Sequence, residues 1–380
     1  MSYSLRTLLV LIALLTSSAA WSAPELIPAA PSVGAKAYLL MDYHSGRILA
    51  EHDADTRIEP ASLTKLMTSY VVSQELANGS IKLDDKVRIS EKAWRMKGSR
   101  MFVEVNSLVP LRDLLKGMIV QSGNDATVAL AEYVAGSEDA FVALMNQHAK
   151  QLGMTNTHFA DSTGMPNPKH YTTAHDLAIL TRALIHDFPQ DYDWYDVKEF
   201  TYNHIKQYNR NRLLWLDDRV DGVKTGHTES AGFCLVASAK QGDMRLISVV
   251  AGAPSEQGRV RASRALLNYG FRFFDTYKLY AADTPLTTMR IWKGAEDQLP
   301  LGLQKDLYVT VPRGQRDNIK ASMELDSKII APASKGQQFG SVNVSLGDDN
   351  LTKRPLVALR DVPQGGLWRR LVDNVVLLFK

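Results

Sequence analysis

Short apolar blocks frame the first two thirds of the chain, and between them apolar positions recur at helical spacing. Ala37 to Met41 and Arg47 to Ala50, separated by Asp42-Tyr43-His44-Ser45-Gly46, read as a β-hairpin. Pro60 then precedes a stretch from Ala61 to Ala77 in which Leu63, Leu66, Met67, Tyr70, Val71 and Leu76 form a helical stripe, stopped by Gly79. Pro110 opens a second helical pattern through Leu111, Leu114, Leu115, Met118 and Ile119. It breaks at Gln121-Ser122-Gly123-Asn124 and resumes from Asp125 to Val134. Ser137, followed by Glu138 and Asp139, starts a helix that runs to Leu152, and Thr173 to Leu184 is another. The helical spacing later gives way to Phe233 to Ala239 and Arg245 to Val250, joined by Gln241-Gly242-Asp243, an antiparallel pair. Strands at both ends of a helical centre predict one mixed α/β domain, with the N-terminal hairpin and the late strands in a single sheet.

After about Tyr280 the spacing changes to period two, in Leu307 to Val311 and Val342 to Leu346, with turns at Pro312-Arg313-Gly314 and Gly347-Asp348-Asp349. A small β-rich second domain is predicted there, over 281–365. The last element, 366–380, places residues 368, 371, 372, 375, 376 and 379 on one helical face and most of its charges off it. It is too short to span a bilayer and reads as a helix lying in the membrane interface. At the other end, Arg6, the apolar run Leu8 to Leu15 and the small residues Ser17 to Ala23 read as a secretory signal peptide over 1–22, with the mature chain starting near Trp21 to Pro24. That leaves 23–280 for the α/β domain.

Composition narrows the function only slightly. The hydrophobic fraction of 45% is ordinary, and 380 residues exceed one compact domain. A net charge of +3 gives no argument for a nucleic-acid partner, and the chain has no Cys/His ligand cluster or phosphate-type glycine loop, so neither metal nor cofactor is expected. Cys234 is the only cysteine; its setting, Gly232-Phe233-Cys234-Leu235-Val236-Ala237, is that of a buried strand with a thiol serving as a small hydrophobe.

The chemistry lies in three triplets: Ser62-Leu63-Thr64-Lys65, Ser122-Gly123-Asn124 and Lys224-Thr225-Gly226. Each alone is weak, and a Ser-Lys pair on a helix is usually a surface feature. In this order, however, they supply the polar groups for serine acyl transfer without a histidine base. Ser62 and Lys65 stand three residues apart at a helix start, so hydroxyl and amine face the same way.

The longer strings around these triplets resemble the serine D-alanyl-D-alanine carboxypeptidases, class C low-molecular-mass penicillin-binding proteins. They are Pro60-Ala61-Ser62-Leu63-Thr64-Lys65, Gln121 to Ala126, Asn209-Arg210-Asn211 and Asp221 to Thr228. The resemblance implies the penicillin-binding, β-lactamase-like transpeptidase fold: an antiparallel sheet with helices on both faces and a helical subdomain. It implies removal of the terminal D-alanine from peptidoglycan pentapeptides, inhibition by β-lactams, and a periplasmic enzyme on the outer face of the inner membrane. The β-rich domain becomes a stalk or partner surface.

Carried over residue by residue, Ser62 is the nucleophile and Lys65 its base, with a pKa lowered by burial and by the neighbouring Lys224. Ser122 relays the proton to the leaving amine, and Asn124 holds Lys65 and the substrate amide. The backbone N–H groups of Ser62 and His227 form the oxyanion hole, where one donor is worth about 3 kcal/mol. Thr225 and Arg259 take the free carboxylate, for which an arginine fork is suited, and Gly226 belongs to the substrate-binding strand end. Arg210 stands near the pocket by resemblance, with a structural ion pair as the competing assignment, and Arg261 and Arg264 form a solvated helix face. The second motif is Ser-Gly-Asn rather than Ser-Asp-Asn, which favours a carboxypeptidase over a β-lactamase. A wall-binding factor with a vestigial site is the non-enzymatic alternative. The stretch Trp94 to Phe102 is shorter than in enteric relatives, so preferences set by that loop do not carry over.

Overall fold

The computed structural model describes residues 27–379. The signal peptide expected over 1–22 lies outside them. Strands β1 (Ala37–Asp42) and β2 (Ile48–His52) form the hairpin, and β3 (Val220–Thr228), β4 (Gly232–Gln241) and β5 (Met244–Ala253) form the meander. They join in one antiparallel sheet of order β2-β1-β5-β4-β3, as the apolar blocks at the two ends of the domain require.

Successive side chains of a strand point to opposite faces, and both faces here are apolar. Leu39, Met41, Val236 and Val249 pack against the helical centre. That centre contains α1 (Lys65–Ala77), α2 (Leu111–Lys116), α3 (Asn124–Ala135), α4 (Glu138–Gln151) and α5 (Ala174–Asp187). Leu40, Leu235 and Val250 instead meet Leu266, Leu267 and Phe271 of α6 (Glu256–Phe273) on the opposite face. Strand β3 is the edge of the sheet, so its outer backbone groups are free to face the helices rather than another strand.

The β-rich part begins earlier than the change in periodicity suggests. Phe274 to Tyr280, on the catalytic side of the expected boundary, form β6 and pair with β9 (Leu307–Pro312). Because α6 runs to Phe273 and passes directly into β6, no glycine or proline marks the switch. Strands β7 (Pro285–Trp292), β8 (Gln298–Gly302), β10 (Ile319–Leu325), β11 (Ile329–Ile330), β12 (Gln338–Leu346) and β13 (Asp349–Ala358) make a second sheet, of order β10-β12-β13-β8-β7-β11. At the junction, Thr276 donates to the buried Asp42 carboxylate at 2.7 Å and Arg47 donates to the Thr310 carbonyl at 2.6 Å.

Helix α7 (Leu367–Leu377) docks on this second sheet through polar groups. The buried Asp373 accepts from the Lys293 N–H at 2.5 Å and faces Arg290 at 3.6 Å, while Arg369 pairs with Asp297. Its apolar residues point away: Trp368 is 79% and Phe379, just beyond the helix, 85% exposed, with Leu371, Val372 and Val375 exposed between them. This inverts the usual packing of an amphipathic helix, whose apolar face normally turns inward. Among the described residues no helix is long and apolar enough to cross a membrane.

Candidate active site

Ser62 lies in a 3-10 turn, Ala61–Thr64, that leads into α1. Lys65 follows on the first turn of the α-helix and is only 1% exposed. Its Nζ is 3.1 Å from Ser62 Oγ, 2.7 Å from Asn124 Oδ1 and 2.8 Å from the Thr163 carbonyl. A neutral amine has two hydrogens and one lone pair. The Asn124 and Thr163 oxygens can only accept, so they take both hydrogens and leave the lone pair for the Ser62 hydroxyl, the geometry a general base requires. Asn124 Oδ1 is fixed as the acceptor because its Nδ2 donates to the Lys97 carbonyl at 2.7 Å, tying the base to the Trp94 to Phe102 loop.

Burial lowers the Lys65 pKa to about 7, against the opposing charges of Asp161 and Asp125. Burial is the leading cause, as expected, and the repulsion between the two buried amines shows on Lys224, which burial, then Lys65, Arg259 and Arg210 hold well below the ordinary lysine value.

Lys224 reaches across from the edge strand and donates to Ser122 Oγ at 2.9 Å. Ser122 sits between a π-type turn, Gly117–Gln121, and α3, in the left-handed region at φ 65°. A non-glycine residue there costs on the order of 1 kcal/mol and is held only where its surroundings insist on it. Gly226 shows how closely β3 approaches the nucleophile: a Cβ on it would lie 3.0 Å from the Pro60 carbonyl oxygen and 3.2 Å from Leu63 Cγ. Glycine therefore lets the free edge of β3 lie along the Ser62 turn.

The remaining expected residues gather around this centre. Thr225 is buried on β3, and the His227 ring is exposed and packs on Phe233 with centroids 4.1 Å apart, leaving only its backbone for chemistry. Arg259, on the first turn of α6, is buried; it donates to the Gly226 carbonyl at 3.2 Å and pairs with Glu256 at 3.3 Å. Arg210 is exposed, 3.5 Å from Ser99 Oγ and, among the described residues, without a carboxylate partner at ion-pair distance, and its charge is felt by both Lys224 and Arg259. Arg261 and Arg264 face solvent, and Cys234 is a buried free thiol whose pKa burial raises.

The structure adds residues that the motifs did not mark. Asp125 accepts from the consecutive N–H groups of Met101, Phe102 and Val103, at 2.8 to 3.2 Å, and so pins the loop whose Lys97 carbonyl orients Asn124. The only hint was an acidic residue directly after Ser-Gly-Asn at a helix start. Thr163 contributes a carbonyl, which no side-chain pattern could reveal.

Comparisons with known proteins agree with this geometry. The family described as "D-alanyl-D-alanine carboxypeptidase" matches residues 25–255, and the "Penicillin-binding protein 5, C-terminal domain" matches 274–364. The chain is 48% identical over 365 residues to the D-alanyl-D-alanine carboxypeptidase DacC of Escherichia coli K12, covering 94% of this chain and 91% of that protein. It is 45% identical to DacA of the same organism over 362 residues, 93% of this chain and 90% of that one. The solved structure of penicillin binding protein 5 from Haemophilus influenzae superposes with a TM-score of 0.85 at 43% identity, over 90% of this chain and 100% of that one. With a Ser-Lys-Ser-Lys centre at hydrogen-bonding distances and matches over both domains, the chain belongs to the D-alanyl-D-alanine carboxypeptidase family and is a serine-type enzyme of that class.

Proposed function

We propose that the enzyme removes the terminal D-alanine of wall stem peptides through an acyl-enzyme on Ser62, at the outer surface of the cytoplasmic membrane. One observation carries the chemistry: the Lys65 amine has fixed acceptors for two hydrogens and faces Ser62 with its lone pair. The peptide lies along the free edge of β3 as an added strand. Lys65 Nζ takes the Ser62 proton as Oγ bonds to the penultimate D-alanine carbonyl, and the oxyanion meets the N–H groups of Ser62 and His227. Collapse breaks the C–N bond. Ser122, hydrogen-bonded to Lys224, relays the proton held on Lys65 to the departing nitrogen, so D-alanine leaves as the free amine and Lys65 is neutral again. Water, deprotonated by Lys65, then attacks the ester and restores Ser62. In a β-lactam the broken C–N bond belongs to a ring, so the leaving nitrogen stays tethered in the site, and deacylation slows.

Thr225 and Arg259 are assigned to the free carboxylate, with Arg210 adding positive field from the rim. The test is release of D-alanine from diacetyl-Lys-D-Ala-D-Ala beside labelling by a fluorescent penicillin; an intact protein that takes no label overturns the reading. In the same assay Arg259→Ala should lower kcat/KM for the free acid about 100-fold, by loss of a charge-assisted pair. It should change the rate on the C-terminal amide far less. An equal fall on both substrates would remove Arg259 from carboxylate recognition.

Membrane attachment is assigned to α7. Its outward residues Leu367, Trp368, Leu371, Val375, Leu378 and Phe379 form an apolar stripe suited to the interface. Deleting Leu367 to Lys380 should move the protein from the membrane to the soluble fraction; unchanged sedimentation with membranes would refute the anchor.

A further inference from the structure

Lys65 is aimed by the Thr163 carbonyl, and that carbonyl belongs to a loop outside every sequence motif. The loop is organised by one carboxylate. Asp161 Oδ1 accepts from the N–H groups of Thr163 at 2.7 Å and Gly164 at 2.6 Å and from the Thr163 hydroxyl at 2.8 Å, closing a tight turn. Burial would raise the Asp161 pKa, but the bond to His170 and its charge, with those from Thr163 and Gly164, hold it well below the usual carboxylate range.

The turn lies directly on the nucleophile's own turn. Gly164 has φ +91°, and a Cβ on it would stand 1.7 Å from the Ala61 carbonyl oxygen. His170, only 2% exposed, connects the two. Its Nδ1 is 3.2 Å from Asp161 Oδ2, and its Nε2 is 2.9 Å from the hydroxyl of Thr64, which sits between Ser62 and Lys65. A carboxylate, an imidazole and a hydroxyl thus stand in line within the protein interior, one side chain away from Ser62, where no substrate reaches Thr64.

We propose that His170 is a positioning residue for acyl transfer: by bridging Asp161 to Thr64 it holds the Thr163 carbonyl on Lys65 Nζ and keeps the amine dry. The inference rests on Lys65 acting as the base. Asp161 is the carboxylate that faces the imidazole. Lys65 itself is faced by Asp161 from the loop, Asp125 from α3 and Lys224 from β3. Since burial is what lowers Lys65, a turn loosened over Nζ admits water and lets the pKa rise towards the ordinary lysine value.

The test is the rate of acylation by a fluorescent penicillin as a function of pH, with kcat and KM on diacetyl-Lys-D-Ala-D-Ala. His170→Ala should slow acylation roughly 10- to 100-fold, as expected when a reacting group is misplaced by about 1 Å. KM should hardly change, and the acidic limb of the profile should move to higher pH. His170→Gln should recover part of the rate and move the limb back towards its original position, because its amide nitrogen can donate to the Thr64 oxygen, whose own hydrogen goes to the Ala61 carbonyl. A folded His170→Ala protein with the wild-type rate and limb overturns the proposal. So does a slower enzyme with an unmoved limb, which would assign His170 to stability alone. If His170→Ala does not fold, Thr64→Val removes the hydroxyl partner together with its bond to the Ala61 carbonyl, and must shift rate and limb in the same direction. Failure of the underlying reading is separable: Lys65→Arg would then retain acylation, whatever His170 does.

Discussion

Ser62→Ala should eliminate covalent labelling by penicillin and lower D-alanine release by about a million-fold, to the residue left when a nucleophile is removed from a unit that works together. Three features make Ser62 irreplaceable. Its hydroxyl is the one oxygen placed 3.1 Å from the Lys65 amine at the mouth of the site. Thr64, two residues on, is buried and turned towards His170, so it cannot substitute. Ser122, the other hydroxyl, is bonded to Lys224 on the far side and is held there by its left-handed backbone. The variant should keep its fold and still bind substrate non-covalently, because β3 and Arg259 are untouched. Mass spectrometry of the protein after incubation with penicillin checks the outcome; an adduct on Ser62→Ala would mean that another group attacks.

The same residues show which parts of a site a single sequence exposes. Ser62, Lys65, Ser122, Asn124 and Lys224 were legible because each belongs to a contiguous string whose spacing already implies a shared direction. Their convergence was also legible, since apolar strands at 37–50 and 233–250 had to meet in one sheet around the helices. What escaped notice acts through backbone. Thr163 offers a carbonyl, and Asp161 and Asp125 gather N–H groups. None of these has a periodicity. The loop from Phe159 to Tyr171 carries no stripe, and His170 in it looks like any surface histidine until Thr64 is found 106 residues away at 2.9 Å. Burial was expected among the causes of the Lys65 shift, but what covers the amine could not be read from the sequence, because it includes the Thr163 loop.

Placement of the two domains also has a consequence for function. The junction is polar and close, through Thr276 to Asp42 and Arg47 to the Thr310 carbonyl, with the His44 and Tyr308 rings stacked 4.4 Å apart. Asp42 ends β1, in the same sheet as the site-bearing strand β3 but separated from it by β5 and β4. At the far end α7 is fastened by Asp373 rather than by its apolar face, which leaves that face available. A helix held this way presents its apolar stripe to solvent while its polar side is already docked.

Lys65→Arg should lower the acylation rate at neutral pH by about 10,000-fold, the upper range for losing a general base. Arginine keeps the charge and has donors for Asn124 and Thr163, but its guanidinium stays protonated and offers no lone pair to Ser62. The wild-type enzyme should show the matching pH dependence. Lys65 is lowered to about 7, so it is largely neutral above that pH and largely protonated below it. Acylation should therefore rise with pH, level off above about 7, and fall roughly tenfold for each unit of pH well below it. An unperturbed lysine would instead keep the rate climbing towards pH 10. The sign distinguishes causes: were Asp161 and Asp125 to outweigh burial, the limb would lie above 10.5. Stopped-flow acylation between pH 5 and pH 10, on wild type and Lys65→Arg, checks both statements. A flat wild-type profile, or an arginine variant acylated at more than a few per cent of the wild-type rate, would remove Lys65 from the role of base and leave Lys224 as the amine to examine.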